Sequence, residues 1–160
     1  VHLGSSPSLL GFIIRPTVSV PRHTYSNIMQ NSVYTINHIQ KSFTEQAHYT
    51  SPKFDKDISE FEKCNFTEEY IPEFKAPFVK ESSFKMGMRF KEVIDIKING
   101  TIMIIGEIEH LIIPEFSFVN DDIDLEITNS IGISGLNTYY EIKKIDRYPY
   151  AKENQLPLFK

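Results

Sequence analysis

At 160 residues, with 41% hydrophobic and 24% charged side chains, the chain can bury one core and has an ordinary globular balance. A net charge of −4 without any basic run speaks against a nucleic-acid partner, and no apolar run approaches the ~18 residues of a membrane span. The single cysteine, Cys64, excludes an intrachain disulfide and makes a reducing, cytoplasmic setting the expectation.

Residues 1–8 (VHLGSSPS) read as a polar turn, and Leu9–Val20 as a strand of bulky and β-branched residues limited by Pro16. A helix is predicted to start at Thr24 as N-cap, with Tyr25, Ile28 and Met29 on one face and Asn31 closing it in a left-handed conformation. Val33–Asn37 is a short strand with Val33, Thr35 and Asn37 on one side and Tyr34 and Ile36 on the other. Helices are predicted over Lys41–His48 and Asp57–Lys63, and 65–78, with Pro72 and Pro77, reads as irregular.

The clearest local signal follows. Apolar residues alternate from Met86 through Met88, Phe90, Ile94, Ile96 and Ile98, interrupted only by Glu92. Asn99-Gly100 then leads into TIMIIGEIEHLII, so two strands of about a dozen residues are predicted around a turn with both residues at positive φ. Ile102, Ile104, Ile108 and Ile112 share a face, and Gly106 marks a bulge or a close approach. NDDIDLE (120–126) is an acidic turn before another short strand, Leu136–Ile142 is a last strand, and an aromatic, Pro-marked tail ends the chain. Twelve Phe and eight Tyr without Trp agree with a mainly β, antiparallel barrel in one domain carrying a few short helices.

Several chemistries lack their motifs. GxGxxG, P-loop, GxSxG and CxxC are missing, and Glu45 with His48, near His23 and His38, has no recognised metal-ligand spacing. The acidic turn lacks the calcium-loop glycine and terminal glutamate, and Cys64 has no basic neighbour. No metal and no catalytic side chain are expected. What remains suits a planar anion: Arg15 after the first strand, Arg22-His23-Thr24 at a helix start, and His48-Tyr49-Thr50-Ser51 near Lys53.

The order of these pieces resembles the flavin reductase-like family. The matching stretches are LGSSPSLLGFIIRP, HTYSNI, VYTIN, AHYTSPKF, SEFEKC, IGEIEHL and LNTYYEI, which together span nearly the whole chain. The resemblance implies an FMN-binding split β-barrel, Greek-key-like and homodimeric, with Tyr148, Tyr150 and Phe159 as a candidate dimer surface. It implies that Gly4, Ser5 and Ser6 approach the flavin ring through backbone groups. Arg15, His23, Thr24 and Tyr25 would serve the phosphate and ribityl chain, and His48, Thr50 and Ser51 would close over the flavin. The family usually has Asp where this chain has His23. Family members also carry an N-terminal strand before the position of Val1, so a strand missing from the given chain is expected. The implied activity is hydride transfer from NAD(P)H to FMN; a non-catalytic, flavoredoxin-like carrier and a barrel for some other apolar ligand are the alternatives.

Overall fold

The computed structural model describes residues 1–16 and 20–157. Five antiparallel strands form the central sheet in the order β1-β2-β7-β6-β3: β1 (His2–Ser5), β2 (Ser8–Ile14), β3 (Val33–Asn37), β6 (Lys85–Ile96) and β7 (Thr101–Ile112). Hairpins β4 (Glu68–Ile71)–β5 (Phe74–Val79), β8 (Phe118–Val119)–β9 (Asp122–Ile123) and β10 (Ile131–Ser134)–β11 (Thr138–Glu141) complete the split barrel. The helices are α1 (His23–Asn31), α2 (Thr44–His48) and α3 (Glu60–Lys63).

The barrel closes around Ile14, Ile28, Tyr34, Phe84, Met86, Met88, Ile102 and Ile104. Tyr34 therefore lies on the inner face of β3, opposite Thr35 and Asn37, as the period-2 reading requires. Its ring passes so close to β7 that a Cβ on Gly106 would lie 2.3 Å from the Tyr34 hydroxyl oxygen. Gly106 is thus a close approach.

The barrel is split beside β3. The edge of β5 meets it through side chains: Thr35 Oγ1 donates to the Pro77 carbonyl at 2.7 Å, and the Val79 amide donates to Asn37 Oδ1 at 3.0 Å. Proline is tolerated there because no ladder bond needs its missing N–H. Beneath this hairpin Phe74 and Phe78 are buried, and Lys85 pairs with Glu69.

Several boundaries differ from the predicted ones. Residues 2–5 pair with β2 instead of forming only a turn, and the first long strand ends at Ile14; positions 17–19 of its predicted span lie outside the described residues, as does Phe159. Helix α1 starts at His23 with Arg22, not Thr24, at the N-cap, and the left-handed residue is Ser32 (φ 59), whose amide bonds Ile28 O at 2.8 Å, not Asn31. The predicted 41–48 helix is a 3₁₀ turn (Lys41–Phe43) followed by α2, and the 57–63 helix is only the four residues of α3. The stretch expected to be irregular forms the β4–β5 hairpin, turning at Glu73 with φ 63.

The long hairpin is present, but its turn is different. Ile96 pairs with Thr101, leaving a four-residue loop in which only Gly100 has positive φ (70). The two-residue turn with both φ positive lies instead at Asn120-Asp121 (53 and 64), between β8 and β9. Lys91 is an extra residue between the pairs Phe90–Gly106 and Glu92–Ile105. This bulge shifts the strand's phase, so Val93, not Ile94, packs on the core. The last strand is Thr138–Glu141, shorter than the predicted 136–142.

Candidate functional site

A cleft of about 550 Å³ opens along the outer face of β3. Helix α1 forms one wall with Thr24, Asn27 and Asn31, and β5 forms the other with Lys75 and Pro77. Thr50, Glu60 and Phe61 close the end. The volume lies in the range of cofactor sites, and the lining mixes apolar surface with a few polar groups. Its charged lining residues are Lys75 and Glu60.

The fold brings Thr24 and Thr50 to this one cleft from segments far apart in sequence. Thr50 Oγ1 donates to the Ala47 carbonyl at 2.7 Å, which leaves its lone pairs for a ligand. One residue before His23, Arg22 Nε is buried without a hydrogen-bond partner among the described residues. A buried guanidinium N–H without an acceptor is costly, and an anion at the start of α1 would satisfy it. The helix dipole favours the same charge there.

Other sequence-predicted residues lie elsewhere. Gly4, Ser5 and Ser6 occupy the β1–β2 turn, whereas exposed Arg15 follows the far end of β2, about 20 Å away at strand rise. Tyr25 packs against the barrel core, and His23 is half-buried at the first position of α1. His48 Nδ1 lies 3.0 Å from the Tyr139 hydroxyl, tying α2 to β11, and the Ser51 amide donates to the His48 carbonyl at 3.2 Å.

Asn27, Asn31, Lys75 and Phe61 line the cleft although the sequence does not mark them as site residues. Thr24, Asn27 and Asn31 recur at helical spacing, so α1's polar face was a usable signal. Lys75 carried none, because its strand was not recognised.

Burial sets the titration of nearby groups. It pushes the Tyr34 phenol up to about 12 and His38 below its ordinary value. The Cys64 thiol is pushed up by burial and then by Glu60, which makes it a poor nucleophile. Among the described residues no three His, Cys, Asp or Glu gather as a metal site, and no helix is long and apolar enough to cross a membrane.

An antiparallel split barrel with a polar cleft beside its first helix defines the structural class. The flavin reductase like domain family matches residues 1–121, and the chain belongs to that family. A split-barrel protein of the flavin reductase type from Shewanella frigidimarina NCIMB 400 is 48% identical, with TM-score 0.89 over 94% of this chain and 75% of that one. Nitrilotriacetate monooxygenase component B from Bacillus cereus (16% identity, TM-score 0.81, 92% of this chain, 75% of that one) shares the fold. So does flavoredoxin of Desulfovibrio vulgaris (17%, 0.77, 94% and 78%). A search of curated proteins gives no match.

Proposed function

We propose that this protein binds FMN in the cleft beside α1 and passes hydride to it from NADH or NADPH. The observation that carries the reading is a cofactor-sized cleft lined by Thr24 and Thr50 in a barrel of this family, with Arg22, whose buried Nε has no partner among the described residues, at the start of the helix that forms its wall. Arg22 and the first turn of α1 would hold the phosphate. Thr50 and the Asn27–Asn31 face would bond the ribityl chain. When bound, the flavin supplies the hydride-accepting chemistry, so this chain's residues need only bind, orient and exclude water.

A homodimer accompanies this reading. Ile145, Tyr148, Tyr150 and Leu156 are each at least two-thirds exposed, an apolar surface that a second copy would cover. Sedimentation at micromolar concentration should give twice the chain mass; a monomer there removes the dimer.

Anaerobic mixing of protein, FMN and each nicotinamide nucleotide tests the activity. Bleaching of the flavin bands with one nucleotide is expected. FMN binding without bleaching by either would leave a flavoredoxin-like carrier. Arg22→Ala should weaken FMN binding by about 1.5–3 kcal/mol through loss of a charge-assisted bond. Arg15→Ala, changed on exposed backbone past β2, should matter less.

A further inference from the structure

A second pocket, of about 250 Å³, adjoins the cleft and shares Asn37, Thr50, Glu60, Phe61 and Val79 with it. Its apolar wall is Ile39, Phe43, Ala47, Phe61, Phe66 and Val79. Phe43 and Phe66 meet edge to face, with centroids 5.6 Å apart at 89°. Gln46 Nε2 donates to the Cys64 carbonyl at 3.1 Å and ties α2 to the end of α3.

The polar groups around it are almost all engaged already. Asn37 Nδ2 donates to Thr35 Oγ1 at 3.0 Å while its Oδ1 accepts from Val79. The Thr50 hydroxyl gives its proton to Ala47 and keeps only acceptor lone pairs. His38 bonds through its amide to the Phe84 carbonyl at 2.9 Å, through its carbonyl to Ser82 Oγ at 2.8 Å, and through ring Nδ1 to Ser130 Oγ at 3.1 Å. What remains are acceptors, the Thr50 oxygen and the carboxylate of Glu60, exposed on α3, and these repel anions. An anion entering this space would lose its hydration and meet only acceptors. An apolar cavity of about 150 Å³ is enough to hold benzene, so this one has room for a ring with small substituents. Three phenylalanine side chains favour a flat aromatic over a saturated ring.

We propose that this pocket is a second ligand site, taking an uncharged single-ring aromatic next to the flavin cleft. Its place beside a flavin rests on the reading above; its occupancy by a ring does not.

Fluorobenzene followed by ¹⁹F NMR is the probe. Saturable binding to the wild-type protein is expected, with NOEs to the methyl groups of Ala47 and Ile39, which line this pocket and not the cleft. The anionic 4-fluorobenzoate should bind at least tenfold more weakly. Ala47→Phe, which fills the pocket from α2, should lower fluorobenzene affinity at least tenfold while leaving FMN affinity within twofold. Lack of saturable binding, NOEs to other methyls only, or equal binding of the benzoate would overturn the site, even if Ala47→Phe does not fold. Displacement of fluorobenzene by FMN would also overturn it, because the pocket would then hold part of the flavin itself. Ring binding without FMN binding would support the pocket and sink the flavin reading instead.

Discussion

The barrel and the segment that follows it are held together by different forces. In the barrel, β2, β3, β6 and β7 bury a continuous apolar core with Met88 and Ile104 fully enclosed. Beyond residue 117 the strands are two to four residues long, and β10–β11 exposes Ile133 and Tyr140. An isolated two-stranded hairpin is marginal in water. This one stays docked through polar ties: Gln40 to Thr128 and Ser83, His38 to Ser130, His48 to Tyr139, and Lys41 to Glu141. Apolar burial is non-directional and tolerates local error, whereas such ties fail one at a time.

The largest expected effect falls in the barrel. Ile104→Ala removes a fully enclosed side chain facing Val93 across the hairpin and should cost about 2–5 kcal/mol in denaturant unfolding. Ile133→Ala, at 58% exposure, should stay within about 0.5 kcal/mol when the chain is monomeric. Comparable losses at the two sites would erase the distinction between the regions.

Gln40 is the sharper probe of the junction. Its buried amide donates to Ser83 Oγ at 2.7 Å and to the Thr128 carbonyl, and it accepts from the Ser83 amide at 3.2 Å. Gln40→Ala leaves the Ser83 amide unpaired and the Thr128 carbonyl with only the 3.4 Å bond from Ser83 Oγ, and should cost about 1–3 kcal/mol. The loss should be local: amides of residues 128–131 should exchange faster while those of β6 and β7 keep their protection. Uniform acceleration across both regions would show that they unfold as one unit.

This contrast also explains what could be read from the sequence. The β6–β7 hairpin was legible because Ile102 and Ile104 keep their period over a dozen residues of one buried face. Its turn was not. Asn99-Gly100 fits a two-residue loop locally, but core packing sets the register that pairs Ile96 with Thr101. The Lys91 bulge is equally silent, since its effect shows only in how Val93 and Ile104 meet across the strands. Pro72 and Pro77 argued against β4–β5, and only the fold shows Thr35 and Asn37 supplying the bonds that make Pro77 acceptable there. In the cleft, Thr24 and Thr50 were reachable through the order of motifs. Lys75 joins them only because β5 folds back beside β3.

The smallest effect concerns pH at the same junction. His38 stacks on Phe84 at 3.9 Å, and its Nδ1 lies 3.1 Å from Ser130 Oγ. Thr128 gives its hydroxyl proton to the Leu125 carbonyl (3.1 Å), so Ser130 donates to Thr128 (2.9 Å) and His38 donates from Nδ1 to Ser130. A neutral ring satisfies this chain, and burial lowers the imidazole below its ordinary value of 6.5. The folded state therefore holds the proton less tightly than the unfolded chain. The contribution is fully present above about pH 6.5 and is lost as pH falls through the lower folded value. Between pH 7 and 5 the wild-type melting temperature should drop more than that of His38→Asn, which keeps a donor near Ser130 and cannot titrate. Exchange at Ser130 and Ile131 should accelerate over the same interval before that of Met88 or Ile104. Parallel melting curves for the two proteins would mean that His38 holds the junction by packing on Phe84 alone.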